Sequence, residues 1–179
     1  MNASYAPASQ AGERGVALIV SLIILVLMTS FGLLAVRLIT AEEKMVGHSY
    51  DRTLALQSAE AALREVEQRL EDAGRPVQTA VGCADFDSGS SSVRICSTPA
   101  PADTPRWTDS TFTQWATASS VGSGALEITP QYIVEYLGNT HPCGPNPSDP
   151  PVCKRYQITA RAGGAGRAEV MLQSVYASD

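Results

Sequence analysis

GVALIVSLIILVLMTSFGLLAV, Gly15 to Val36, is an uninterrupted apolar run flanked by Arg14 and Arg37. No charged residue falls within it. At about 1.5 Å per residue, a helix from Val16 to Val36 reaches roughly 31 Å, the thickness of a bilayer's hydrocarbon core. A cleaved secretory signal needs a shorter apolar region and a small-x-small site, whereas here the run passes into Arg37-Leu-Ile-Thr-Ala-Glu-Glu-Lys44. The stretch therefore reads as a retained, single-pass membrane helix.

On the N-terminal side, residues 1 to 14 are small and polar, with no apolar periodicity, and read as a short leader. On the other side the helical signal continues past the membrane. No proline occurs between Val16 and Pro76, and residues 37 to 72 are rich in Ala, Leu, Glu, Gln and Arg. Leu56, Ala59, Leu63, Val66 and Leu70 follow the 3-4 spacing of one apolar stripe. Glu60 with Arg64, and Glu65 with Arg69, form acid-before-base pairs at i,i+4 on the solvated side. Gly74 and Pro76 mark the stop, so a single long helix is expected up to Asp72.

Beyond the helix, Val77 to Ala125 is punctuated by serines, prolines and glycines and is expected to be irregular. Within it, Arg106 to Trp115 is expected to form a short helix or turn holding Trp107 and Trp115. These rings read either as a ligand platform or as satellite core under the loop. The last third reads as β. Tyr132 to Leu137 is rich in β-branched and aromatic residues. Lys154 to Ala162 alternates, with Tyr156, Ile158 and Ala160 on one face, and Gly163 to Gly166 turns the chain. Arg167 to Tyr176 returns with Ala168, Val170, Leu172 and Tyr176 on a common face, completing a hairpin. A small antiparallel sheet packed on the helix stripe follows, an α+β fold.

Composition bounds the function. The 179 residues leave room for one modest domain, and 18 acidic against 13 basic residues, net -5, lack the basic footprint of a nucleic-acid binder. Four cysteines, Cys83, Cys96, Cys143 and Cys153, all follow the apolar run and lack zinc-site spacing. They read as two disulfides, paired Cys83 with Cys96 and Cys143 with Cys153, although sequence alone permits the other connectivities. Positive residues flank the anchor on both sides, but oxidised cysteines would place the C-terminal domain outside the cytoplasm. No calcium loop follows from Asp85, Asp87, Asp103 and Asp109. Likewise, no catalytic motif surrounds His48 or His141. Neither enzyme, metal nor cofactor is expected.

Arg14-Gly15 before an apolar helix, the amphipathic continuation and a disulfide-bearing sheet domain together resemble type IV pilins. Glu42-Glu-Lys-Met45, Gly47 and Asp51-Arg-x-Leu-Ala-Leu-Gln-x-Ala-Glu-Ala-Ala-Leu-Arg64 are similar to the N-terminal signature of the PilX-type minor pilins, over roughly residues 12 to 70. The resemblance implies a pilin-like fold, cleavage by prepilin peptidase after Gly15 and N-methylation of Val16. It also implies residence in the inner membrane with a periplasmic domain, then in the pilus, where such proteins serve assembly, twitching motility and adhesion. The divisions expected are a cleaved leader (1-15), a transmembrane half-helix (16-36), an amphipathic half-helix (37-74) and a sheet domain (75-179). Partners would be other minor pilins and the major pilin through the N-terminal helix, with a tip adhesin as a further partner. Contacts are expected at Pro145, Asn146, Pro147 and Asp149 in the Cys143 to Cys153 loop, and at Trp107 and Trp115. One departure stands out: most pilins carry glutamate at the fifth mature position, and here that residue is Val20. A tip position that primes assembly would tolerate the change. The alternatives are a membrane-anchored extracytoplasmic binding protein, or a minor pseudopilin of a type II secretion or DNA-uptake filament.

Overall fold

A computed structural model describes residues 14–89, 91–143, 153–164 and 166–178. The chain divides into two units, residues 1–47 and residues 48–179. One helix, α1 (Arg14–Asp72), contributes to both. It stops where expected: Gly74 adopts φ +71°, its N–H donates to Glu71 O at 2.9 Å, and Arg75 N–H donates to Leu70 O at 2.9 Å.

In the first unit α1 has no buried side chain from Gly15 to Gly47. Its hydroxyls satisfy themselves on the helix backbone: Ser21 Oγ donates to Leu18 O, Thr29 Oγ1 and Ser30 Oγ both donate to Val26 O, and Thr40 Oγ1 donates to Arg37 O. The apolar surface is therefore not interrupted by unmet donors, as an apolar solvent requires.

The second unit is an α+β layer structure. Its strands are β1 (Cys83–Ser88), β2 (Ser91–Cys96), β3 (Ala116–Thr117), β4 (Gln131–His141), β5 (Cys153–Ala162) and β6 (Val170–Ser178). They form one sheet in the order β1-β2-β4-β5-β6, with β3 also paired to β4. The β5-β6 hairpin stands where the alternation placed it, in unbroken register from Lys154↔Ser178 to Ala162↔Val170. β4 runs past the expected Leu137 to His141, and a glycine at φ +113°, Gly138, carries its register shift.

Two expectations are corrected. The Val77 to Ala125 region is not wholly irregular, because β1 and β2 form a six-pair hairpin and β3 adds a short pairing. Hydrophobic periodicity missed β1 and β2 because Asp85, Asp87, Ser92 and Arg94 make them too polar to register as apolar runs. Nor is the sheet purely antiparallel: β2 meets β4 in parallel at Ile95↔Val134 and Cys96↔Glu135. A parallel junction needs a long crossover, and residues 97–130 supply it.

The helix stripe is also made of smaller residues than periodicity selected. Ala55, Ser58, Ala59, Ala62, Val66 and Leu70 are fully buried, whereas Leu56 points outward. Three alanines and a serine therefore make up most of the buried face of this part of the helix. Against it pack Val93 and Ile95 of β2, Tyr132, Val134 and Tyr136 of β4, and Tyr156, Ile158 and Ala160 of β5. Burying this set supplies the principal stabilisation of the unit, at about 25 cal/mol per Å² of apolar surface.

Candidate functional site

No cluster of His, Cys, Asp or Glu suited to a metal occurs among the described residues. The described residues build several surface features, each from a different part of the fold.

On the α1 side, three latches fix the helix to the domain. Arg167, in the turn before β6, donates from Nε and Nη2 to Asp51 Oδ1 at 3.1 and 2.9 Å. Glu65 was expected on the solvated side with Arg69. It does pair with Arg69, but it also accepts from Ser119 N–H and Ser119 Oγ, both at 2.9 Å. Burial raises the Glu65 pKa, yet the Ser119 hydrogen bonds and the Arg69 charge outweigh it and hold the carboxyl below its usual range. Near the helix end, Tyr136, Tyr156 and Tyr176 form a row of mutually tilted rings across β4, β5 and β6, with centroids 5.5 and 6.2 Å apart. Tyr156 Oη donates to Pro76 O at 3.1 Å and Tyr176 Oη donates to Glu71 Oε1 at 2.9 Å. Burial pushes the Tyr156 phenol strongly up, so it stays a donor.

On the opposite face of the sheet, the crossover after β2 forms a third layer. Arg106 donates from Nη1 to Glu135 Oε1 at 2.5 Å and to Ser97 O at 2.7 Å, and Glu135 is buried. This pair ties the crossover to the middle of β4. Arg106 to Trp115 is a series of turns rather than a helix, and its two tryptophans part company. Trp115 is half-buried, edge-on to Phe112 at 6.4 Å and with the Arg161 guanidinium 3.9 Å above its ring. Arg161 is further held by two hydrogen bonds to Gln131 Oε1, at 3.0 and 2.7 Å. Trp115 is thus a covering residue of the sheet. Trp107 is 38% exposed and walls a groove of about 260 Å³ with Thr159, Met171, Leu172 and Gln173. Of the two rings it is the one open to a partner.

Disulfides close both loops: Cys83 with Cys96, a directly opposed pair of β1 and β2, and Cys143 with Cys153, across the connection from β4 to β5. Pro145, Asn146, Pro147 and Asp149 lie outside the described residues. Gly15 and Val16 lie in the first turns of α1, and Val20, one turn on, is 48% exposed. Sequence reasoning missed the Arg106–Glu135 pair and the Ser119 contact to Glu65. Both join residues far apart in the chain, and no local spacing announces them.

An N-terminal helix apolar on every side, continuing as the spine of a disulfide-bonded sheet domain, defines a pilin-like subunit: a membrane-anchorable helix with its own folded head. The family models make this specific. The model described as PilX N-terminal matches residues 14–64, and the one described as Type IV pilus assembly protein PilX C-term matches residues 75–178, more than half of the chain. The chain belongs to the PilX family of type IV pilus assembly proteins and is a minor pilin. Neither curated proteins nor solved structures yield a match to it.

Proposed function

We propose that this minor pilin primes type IV pilus assembly and occupies the tip complex of the filament. The observation that carries this reading is Val20. After cleavage at Gly15 the chain would begin with the N-methylated amine of Val16, and Val20 would be its fifth residue. A carboxylate at that position would neutralise the amine of a neighbouring subunit, since a charge left unpaired in a low-dielectric interior is costly. A subunit without the carboxylate suits the end of the filament, where there is no earlier neighbour to neutralise. In this reading the head faces the periplasm, where its two disulfides can form. The all-round apolar part of α1 is stored in the inner membrane before passing into the filament. The Cys143 to Cys153 loop and the Trp107 surface are then the faces offered to tip partners, including an adhesin. The role is structural: the chain positions other subunits and carries out no chemistry.

Deleting the protein from its native cell should sharply reduce pilus number and twitching, with restoration by the wild-type chain. Unchanged pilus number would contradict the priming role. A Val20→Glu chain supplies the second arm. It should be found along sheared filaments, while the wild type should be confined to their ends, and equal distribution of the two would remove Val20 as the basis of the tip assignment.

A further inference from the structure

The two edges of the sheet are built in opposite ways. β1 is six residues long, bears exposed Asp85 and Asp87, and is stapled to β2 by the Cys83–Cys96 disulfide. Asp85 also holds Arg94 Nε and Nη2 at 2.7 Å each. Short length and charge are the usual devices by which an edge repels a further strand. β6 has neither. Its nine residues, VMLQSVYAS, include no charge, proline or glycine, and it lies at the end of the sheet in unbroken register with β5. Alternate residues of such a strand turn their N–H and C=O groups away from the neighbour they already have.

Burial is incomplete on both of its faces. Toward α1, Val170, Leu172, Ser174 and Tyr176 are only half-buried, whereas Tyr156, Ile158 and Ala160 of adjacent β5 are fully buried. On the other face Met171 is 39% and Val175 58% exposed, beside the groove that Trp107 walls. Both the backbone ladder and the core break off one strand early.

We infer that β6 accepts one further strand, an extended uncharged segment of a partner polypeptide whose apolar residues alternate, with one side chain seated in the groove beside Trp107. The chemistry selects the occupant. Only an extended backbone can meet a row of backbone donors and acceptors, and only a period of two sends one set of side chains over the Val170, Leu172, Tyr176 row and the other toward Trp107. A docked helix would leave that row of backbone groups unpaired. The inference deepens the partner-binding part of the proposed function, and it does not require the tip location.

The test uses the full chain in nanodiscs and a synthetic nine-residue peptide that alternates valine with threonine or leucine and ends in a lysine at each side. Amide hydrogen exchange of β6 is read with and without the peptide at about 1 mM, the weak end of specific binding. Peptide should slow exchange of the outward β6 amides by about tenfold or more, since those amides pass from open to hydrogen-bonded. Val175→Lys and Trp107→Ala should each weaken this protection about tenfold, with β5 exchange unchanged as the check that the domain stays folded. A control peptide with proline at alternate positions should give none. Absence of protection, or equal protection by the proline peptide, would overturn the inference. So would protection that appears without peptide and rises with protein concentration, because β6 would then pair with a second copy. Failure here leaves the Val20 and deletion results standing, so the two readings fail separately.

Discussion

The two stretches of α1 share one secondary structure and have opposite surroundings. From Gly15 to Gly47 every side chain is exposed, on a surface that is mostly Leu, Ile and Val in its first half, whereas from Ala55 to Leu70 one stripe is sealed against the sheet. The difference lies in side-chain size and distribution. Where large apolar residues circle the helix, the burial they need must come from a bilayer or from other subunits. Where alanines and a serine form a stripe, the chain covers it with its own strands. Substitutions in the second stretch and the layers around it should therefore change the stability of the isolated protein, and those in the first should not.

The largest effect is expected at the outer layer. Arg106→Ala leaves Glu135 buried without its cation and should lower stability by about 3–5 kcal/mol, read as a loss of denaturant midpoint for the full chain in detergent. Replacing both partners by leucine should recover most of that loss, and failure to do so would mean that the crossover is held by something other than the pair. Next comes the staple of β1 to β2. Cys83→Ser with Cys96→Ser should cost about 3 kcal/mol by opening a short loop in the unfolded chain.

A sharper probe of the comparison is a matched pair within α1. Ala59→Leu forces a larger side chain into a fully buried site and should destabilise the head by about 1–3 kcal/mol, while Leu34→Ala should leave its unfolding within about 0.5 kcal/mol of wild type. Equal effects would dissolve the distinction between the two stretches. The smallest effect concerns Glu65. Its folded-state pKa is depressed, so its contribution is present above the unfolded value, about 4.3, and is lost as pH falls through the folded value. Glu65→Gln should lower the neutral plateau slightly, converge with wild type once pH falls below the folded value, and so flatten the acid limb of the stability profile below about pH 5.

Much of this architecture was legible in the residues, for physical reasons that differ by element. The Gly15 to Val36 run announced itself because a long uncharged apolar stretch has few other uses. The β5-β6 hairpin was readable because its alternation has a strict period of two around a glycine turn. By contrast, β1 and β2 are polar enough to pass for loop, and the parallel pairing of Ile95 with Val134 depends on a crossover path that no local pattern specifies. The stripe differs at Leu56 for a related reason: periodicity favours the largest apolar residue, whereas the face that is covered holds Ala55 and Ala59, a choice made by the path of the strands and not by local spacing. As for the surfaces, Trp107 and Trp115 look alike in the sequence, and only packing separates half-buried Trp115 from Trp107. The uncharged edge of β6 was visible as a sequence but meaningless until the strand order placed it last.

The measurement that bears most directly on the account is the intact mass and N-terminal fragment spectrum of the protein recovered from sheared filaments of its native cell. A chain that begins with N-methylated Val16 and is enriched in the filament fraction is the predicted result, because the bare apolar surface of α1 is then covered by neighbouring subunits. A chain still carrying the residues before Gly15, retained in the membrane and missing from filaments, would contradict it and leave α1 as an anchor alone.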